Sequence, residues 1–220
     1  MQKLQAIIFD LDGVLTDTSE YHYQAWKHLA DDEKLPFTRE QNDAHLRGVG
    51  RRESLEYLIR GHHYTEAQMQ EMMERKNHYY VELIGHMTPA DFVSGGHALL
   101  QEMHRQGIKA SIASTSKNCM KVLERLQITS LFDGIADGNS VANQKPAPDI
   151  FVFAAGLVGV PTPLCLGVED AAAGVQAIKA AGMAALGIGP RERFQHADAV
   201  LPSLENQTLA QLLDALNQAK

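Results

Sequence analysis

The run Ile7-Ile8-Phe9-Asp10-Leu11-Asp12-Gly13 puts two carboxylates, two residues apart, at the end of an apolar segment of strand length. In an open α/β sheet, ligands bind beyond the carboxyl ends of the strands, and a buried parallel strand here would deliver Asp10 and Asp12 to that edge. Two carboxylates so close raise one pKa unless a cation keeps that group ionised. An ionised Asp beside a neutral or hydrogen-bonded one suits nucleophilic catalysis with general acid–base help. An EF-hand calcium loop is excluded by position: its glycine comes later in the loop, and a helix rather than a strand precedes it. A simple acidic cap on the next turn stays open on these residues alone.

Three further stretches carry chemistry-bearing side chains. Ser114-Thr115-Ser116-Lys117-Asn118 follows an apolar run and opens a helical pattern, so hydroxyls, free N–H groups and an ammonium meet at one helix start, as in an anion site. The same residues are also a common capping sequence. Lys145-Pro146-Ala147-Pro148-Asp149 sets a lysine just before another helix start, which in isolation reads as a solvated loop residue. Gly167-Val168-Glu169-Asp170 ends a buried run in two carboxylates, either hard oxygen ligands for Mg²⁺ or an N-cap pair.

The elements that must position these groups follow from patterning. Apolar runs at Leu4–Phe9, Ile108–Ala113, Gly134–Ala136, Leu164–Val168 and Met183–Ile188 read as buried strands. Helical patterns at Gly95–Gln106, Lys117–Leu126, Pro148–Leu157 and Ala171–Ala181 alternate with them, with Gly107 and Gly182 as stops and Pro148 as a start. Strands alternating with helices of this length mean βαβ units and a parallel sheet.

Between Asp17 and Pro89 the pattern is helical throughout, and this block holds every tyrosine, the tryptophan and most of the histidines. Thr65 opens a capping box with Gln68, and Met69, Met72, Met73, Tyr80, Leu83 and Ile84 share a helical face. The expected organisation is an α/β, Rossmann-like parallel-sheet core at 1–16 and 90–220 with a helical cap inserted at 17–89. Two residues interrupt the cap's apolar faces: Lys76 within that methionine stripe, and His22 beside Ala25, Trp26 and Leu29. A lone lysine in such a stripe ordinarily snorkels to water, and a lone histidine is ordinarily a satisfied core residue.

Composition bounds the rest. With 220 residues, 45% hydrophobic and 21% charged, the chain has an ordinary globular balance. Its net charge of −7 disfavours nucleic acid and anionic lipid as partners. Two cysteines without a C-x-x-C spacing give no disulfide framework and point to a reducing compartment. No apolar run reaches the ~20 residues of a membrane span, and Asp10 and Asp12 interrupt Leu4–Phe9 before a signal-peptide core forms. A cytoplasmic protein is expected.

Taken in order, the four stretches resemble the four motifs of the haloacid dehalogenase superfamily of phosphoryl-transfer enzymes, and the likeness runs over essentially the whole chain. Within the cap, His22 with Ala25-Trp26, Gly48-Val49 with Arg51, Glu53 and Ser54, and Arg75-Lys76-Asn77 are similar to a sugar-phosphate mutase branch. The resemblance implies Asp10 as the nucleophile that becomes an aspartyl phosphate and Asp12 as general acid–base. It implies Mg²⁺ held by Asp10, the backbone carbonyl of Asp12, Glu169 and Asp170, with Ser114 and Lys145 stabilising the transferring phosphoryl group. Ser116, Lys117 and Asn118 would surround the bound phosphosugar, Arg51 would clamp its second phosphate, and Thr18, Trp26, Gly48, Val49 and Ser54 would line the substrate. His22 and Lys76 would link cap closure to phosphoryl transfer.

The implied reaction interconverts β-D-glucose 1-phosphate and D-glucose 6-phosphate through a 1,6-bisphosphate. A sugar phosphatase, a mutase for a disaccharide 1-phosphate and an idle sugar-phosphate sensor are the alternatives. The expected partners are small sugar phosphates, with no nucleic acid and no membrane, and a monomer is expected. Gly50, Arg52, Thr115 and Ala171 depart from the family pattern without removing a chemical group.

Overall fold

The structure is a computed structural model that describes residues 4–218. Six parallel strands form one sheet in the order β3-β2-β1-β4-β5-β6: β1 (Ala6–Phe9), β2 (Lys109–Ala113), β3 (Gly134–Ala136), β4 (Cys165–Glu169), β5 (Ala184–Ile188) and β6 (Ala199–Leu201). The first strand is central, pairing Ile7 with Ala110 on one side and with Leu166 on the other. All four of its residues are buried. Successive side chains alternate between two cores, Ile7 and Phe9 packing on one face of the sheet and Ala6 and Ile8 on the other.

Five helices clothe the sheet: α5 (Gly96–Arg105), α6 (Cys119–Leu126), α7 (Asp149–Leu157), α8 (Ala172–Ala180) and α9 (Leu209–Gln218). Gly107 and Gly182 follow α5 and α8 in the left-handed region, where a side chain would be strained, and end those helices as the sequence suggests. Expected strands and helices lie within about two residues of those observed. The strand β6 and helix α9 are additions to the expected set. The first is only three residues long, too short for a periodicity signal.

Between β1 and β2 the chain forms α1 (Thr18–Asp32), α2 (Arg39–His45), α3 (Arg51–Leu58) and α4 (Glu66–Ile84). These helices have a core of their own around Trp26, Leu29, Phe37, Leu55 and Met72. The capping box at the start of α4 is present: Gln68 N–H donates to Thr65 Oγ1 at 3.3 Å and Thr65 N–H to Gln68 Oε1 at 2.8 Å. Helices α1 and α4 pack on each other, and Ala25 of α1 with Tyr80 and Ile84 of α4 join the core around Leu11, Leu15 and Phe92. The helical insertion is thus stitched to the core at the carboxyl edge of the sheet. No helix among the described residues is long and apolar enough to cross a membrane.

Candidate active site

The chain runs outward from β1 to β2 and β3, then crosses back to add β4 on the other side of β1. That reversal opens a crevice at the carboxyl ends of β1, β2 and β4. Asp10 and Asp12 leave β1 into it, Ser114 leaves β2, and Glu169 and Asp170 come from the end of β4. The insertion covers the crevice and encloses a cavity of about 450 Å³.

At the core end of the cavity the carboxylates crowd together. Asp10, Glu169 and Asp170 are buried and offer oxygens within 4.8 Å of one another. Lys145, from the loop between β3 and α7, reaches into this cluster and donates to Asp10 Oδ1 at 2.6 Å and to Glu169 Oε2 at 2.7 Å. Glu169 also accepts the backbone N–H groups of Asp170 and Ala171 at 3.1 Å each, which aims its carboxylate. Two glycines make room: a Cβ on Gly13, whose φ is +84°, would strike the Asp170 carboxylate, and one on Gly174 would strike Glu169.

Burial, followed by the charge of Glu169, pushes Asp10 up to about 7. Burial likewise raises Glu169 to about 7 and Asp170 to about 6, against the opposing pull of Lys145 on the first and Arg47 on the second. Burial disfavours the Lys145 ammonium too, but Asp10 and Glu169 outweigh it and keep its pKa above the ordinary lysine range. Three desolvated carboxylates share two cations, Lys145 and Arg47, so the cluster holds an excess of negative charge out of water. An all-oxygen set with uncompensated charge fits a hard divalent cation.

Asp12 belongs to a different network. Its side chain accepts from Thr18 Oγ1, with Ser114 Oγ 3.5 Å away on the other oxygen, and it stays out of the acid triad. Burial and the nearby Asp10 raise it to about 6. His22 Nε2 lies 3.8 Å from Asp12, while His22 Nδ1 lies 2.8 Å from Lys76 Nζ. An ammonium only donates, so Nδ1 accepts and the proton of neutral His22 sits on Nε2, facing Asp12. Burial, then the Lys76 charge, pushes the His22 pKa well below its usual value.

The cap end of the cavity has the opposite sign. Lys76 is buried, with its ammonium 4.9 Å from the centres of both the Trp26 and Tyr80 rings. Arg51 is half-buried and donates to Asn77 Oδ1 at 2.8 Å. Burial lowers the pKa of both cations, and the Arg51 charge lowers that of Lys76 further. Among the described residues, neither forms an ion pair with a carboxylate. By contrast Arg52, which also lines the cavity, pairs with Glu56 and Glu66 at its exposed rim. The adjacent arginines that look alike in the sequence therefore differ in whether a carboxylate neutralises them.

Of the residues singled out from the sequence, Asp10, Asp12, His22, Trp26, Gly48, Val49, Arg51, Ser54, Lys76, Ser116 and Lys117 line the cavity. Thr18, Ser114, Asn118, Lys145, Glu169 and Asp170 stand behind that lining, each within hydrogen-bond reach of the site: Thr18 and Ser114 at Asp12, Asn118 at Ser116, Lys145 at Asp10, Glu169 at Lys145, Asp170 at Arg47. Arg47 is one residue that sequence reasoning missed. It comes from the loop after α2 and donates from Nε to Asp170 Oδ2 at 2.6 Å. Its only local signal is its position beside Gly48, which has a φ of +73°. Gln70 and Glu74 of α4 also line the cavity and were not anticipated.

Comparison with known proteins agrees with this geometry. A profile of the family described as haloacid dehalogenase-like hydrolase matches residues 7–188. The chain is 44% identical over 219 residues to the beta-phosphoglucomutase of Bacillus subtilis (strain 168), covering 98% of this chain and 96% of that one. It is 28% identical to a phosphorylated carbohydrates phosphatase of Thermotoga maritima, over 82% of each chain. Among solved structures, beta-phosphoglucomutase from Clostridium difficile superposes with a TM-score of 0.92 at 37% identity, covering 98% of both chains.

Proposed function

Since the chain belongs to the haloacid dehalogenase-like hydrolase family, we propose that it is a phosphomutase interconverting β-D-glucose 1-phosphate and D-glucose 6-phosphate, with β-glucose 1,6-bisphosphate as the intermediate. The observation that carries this reading is the polarity of the cavity. One end presents a nucleophilic carboxylate beside an acid triad, and the other presents Arg51 and Lys76, neither of them in an ion pair among the described residues. A ligand bearing a phosphate at each end satisfies both. A monophosphate leaves one end desolvated and unpaired.

Asp10 attacks the phosphorus of the bisphosphate, the bond to the sugar oxygen breaks, and Asp12 gives that oxygen its proton. Glucose 6-phosphate leaves, the 6-hydroxyl of a β-glucose 1-phosphate attacks the aspartyl phosphate, Asp12 takes the hydroxyl proton and Asp10 is freed. The bisphosphate so formed turns end over end to present its 1-phosphate to Asp10. A carboxyl whose pKa lies near 6 is suited to shuttling a proton near neutrality. His22, held by Lys76, aims its Nε2–H at Asp12 and so couples that proton site to the cap. Lys145 and Ser114 lie where charge grows on the transferring group, in a site shielded from water.

Mg²⁺ is the cation we assign to Asp10, Glu169, Asp170 and the Asp12 carbonyl, where it would neutralise phosphoryl oxygens and polarise them for attack. The segment 17–89 acts as the cap that selects the sugar, with Thr18, Trp26, Gly48, Val49 and Ser54 around it and Ser116, Lys117 and Asn118 at the second phosphate. The remainder, 1–16 and 90–220, performs the transfer. Both cysteines are free and buried, in keeping with a cytoplasmic enzyme.

The test is ³¹P NMR of the protein with Mg²⁺, β-glucose 1-phosphate and a trace of glucose 1,6-bisphosphate. Glucose 6-phosphate as the main product is the expected result. Inorganic phosphate as the main product would make the enzyme a phosphatase and overturn the reading.

A further inference from the structure

Arg51 and Asn118 belong to different halves of the molecule. The first opens α3 in the helical insertion, and the second is the N-cap of α6 above the sheet. A single atom joins them. Asn77, on α4, accepts from Arg51 NH2 at 2.8 Å and from Asn118 Nδ2 at 2.7 Å on the same Oδ1. A carbonyl oxygen has two lone pairs, and here both are used. The guanidinium keeps four of its five N–H donors and the Asn118 amide keeps one of its two, so both donors retain capacity for a ligand.

The acceptor is neutral, and that matters. Arg39, Arg47, Arg52 and Arg75 of the insertion each sit on a carboxylate. Arg51 alone among these cavity and surface arginines is fixed by an amide. An aspartate has the same shape as Asn77 and could accept the same two hydrogen bonds, but it would cancel the Arg51 charge and compete with an anion for it.

We propose that Asn77 is a positioning residue that assembles the second-phosphate subsite from both sides of the cleft, orienting Arg51 and Asn118 on one uncharged oxygen so that Arg51 keeps its full charge for the ligand. The proposal rests on the mutase reading for the identity of the phosphate. The geometry it invokes does not. A site closed by this bridge forms only when the insertion is down on the core, so capture of the second phosphate and closure become one event.

Two measurements test it on the whole protein. Inorganic phosphate is titrated into the metal-free enzyme, where the unneutralised carboxylates at the core end repel it and leave the Arg51 subsite to bind it. Mutase kinetics with Mg²⁺ are measured in parallel. Asn77→Ala is expected to weaken phosphate about tenfold and to raise KM by a similar factor with a smaller fall in kcat, as for lost uniform binding. Asn77→Asp is expected to weaken phosphate more than Asn77→Ala does, although it preserves size and both hydrogen bonds.

Wild-type affinity in Asn77→Asp, or a smaller loss there than in Asn77→Ala, would overturn the proposal, as would a fall in kcat with KM unchanged. Absence of phosphate binding by the wild type would remove the subsite itself. Should the wild type release only inorganic phosphate from the sugar phosphate, the mutase reading fails while the phosphate titration still reports on Asn77.

Discussion

Arg47 of the insertion and Asp170 of the core form an ion pair across the cleft, Nε donating to Oδ2 at 2.6 Å, with Asp170 buried and Arg47 about one-fifth exposed. The insertion therefore touches the acid triad directly, and any cation bound there shares Asp170 with a guanidinium. Replacing Arg47 by alanine removes a positive charge from beside the triad. Mg²⁺ is expected to bind Arg47→Ala several-fold more tightly by titration calorimetry, while the metal-free variant loses about 2 kcal/mol of stability from its unpaired carboxylate. Unchanged or weaker Mg²⁺ binding would mean that the pair does not compete with the metal.

Removal of metal is expected to stop turnover and to lower the melting temperature. A ligand bound only by the folded state stabilises it by about 2.7 kcal/mol at a concentration one hundred times its Kd. Dialysis against a chelator followed by Mg²⁺ titration, monitored by thermal melting, reads this directly. Full activity in the chelated enzyme would contradict the role given to Asp10, Glu169 and Asp170.

Loss of Arg51 is expected to separate two reactions. Arg51→Ala should slow conversion of β-glucose 1-phosphate at least about tenfold more than hydrolysis of acetyl phosphate, which has no second phosphate to hold. Parallel steady-state assays of the two substrates make the comparison. Equal losses would show that Arg51 serves the fold of the cleft rather than a distal phosphate.

His22 gives a pH signature of known sign. Its pKa in the folded protein is well below the usual 6.5, because burial and the Lys76 charge disfavour the imidazolium. Below pH 6.5 the unfolded chain binds a proton that the folded chain refuses, so this contribution to stability is present above that pH and is lost as pH falls. His22→Asn lacks the proton site. Between pH 7.5 and 5.5 the wild type is expected to lose up to about 1 kcal/mol more stability than His22→Asn, read from denaturant melts at each pH. Parallel pH profiles for the two proteins would remove His22 from the explanation.

Much of this arrangement is legible in the sequence because the informative features are local. A strand ending in Asp10 and Asp12, a helix start at Ser114–Asn118 and a strand ending in Glu169 and Asp170 each announce themselves within a few residues. What is not legible depends on closure. Lys145 meets Asp10 across 135 residues and Arg47 meets Asp170 across 123, and neither partner marks the other in the chain. Arg51 and Arg52 are adjacent and chemically alike, both line the cavity, and only the packing of α3 and α4 decides which one is paired with carboxylates and which one rests on Asn77. Asn77 sits in a recognisable run with Arg75 and Lys76, yet its two hydrogen bonds become apparent only when three elements meet. The strand β6 falls below the length at which periodicity is detectable.

The central place of β1 in the sheet also shapes how the molecule comes to be built. Its neighbours pair Ile7 with Ala110 and Leu166, so the insertion and three further helices must be synthesised before both edges of β1 are covered. At ordinary rates of translation this interval is roughly ten to thirty seconds. Helices α1 to α4 make mainly local contacts and can collapse early, whereas closing the loops that bring β1 to β2 and β4 carries a larger entropic cost. During that interval the apolar run Ala6–Phe9 is an unpaired strand in search of partners, and the nascent chain's exposure to aggregation is concentrated there. The segment that presents the nucleophile is thus made before both of its partner strands and stays unsecured until the second of them arrives.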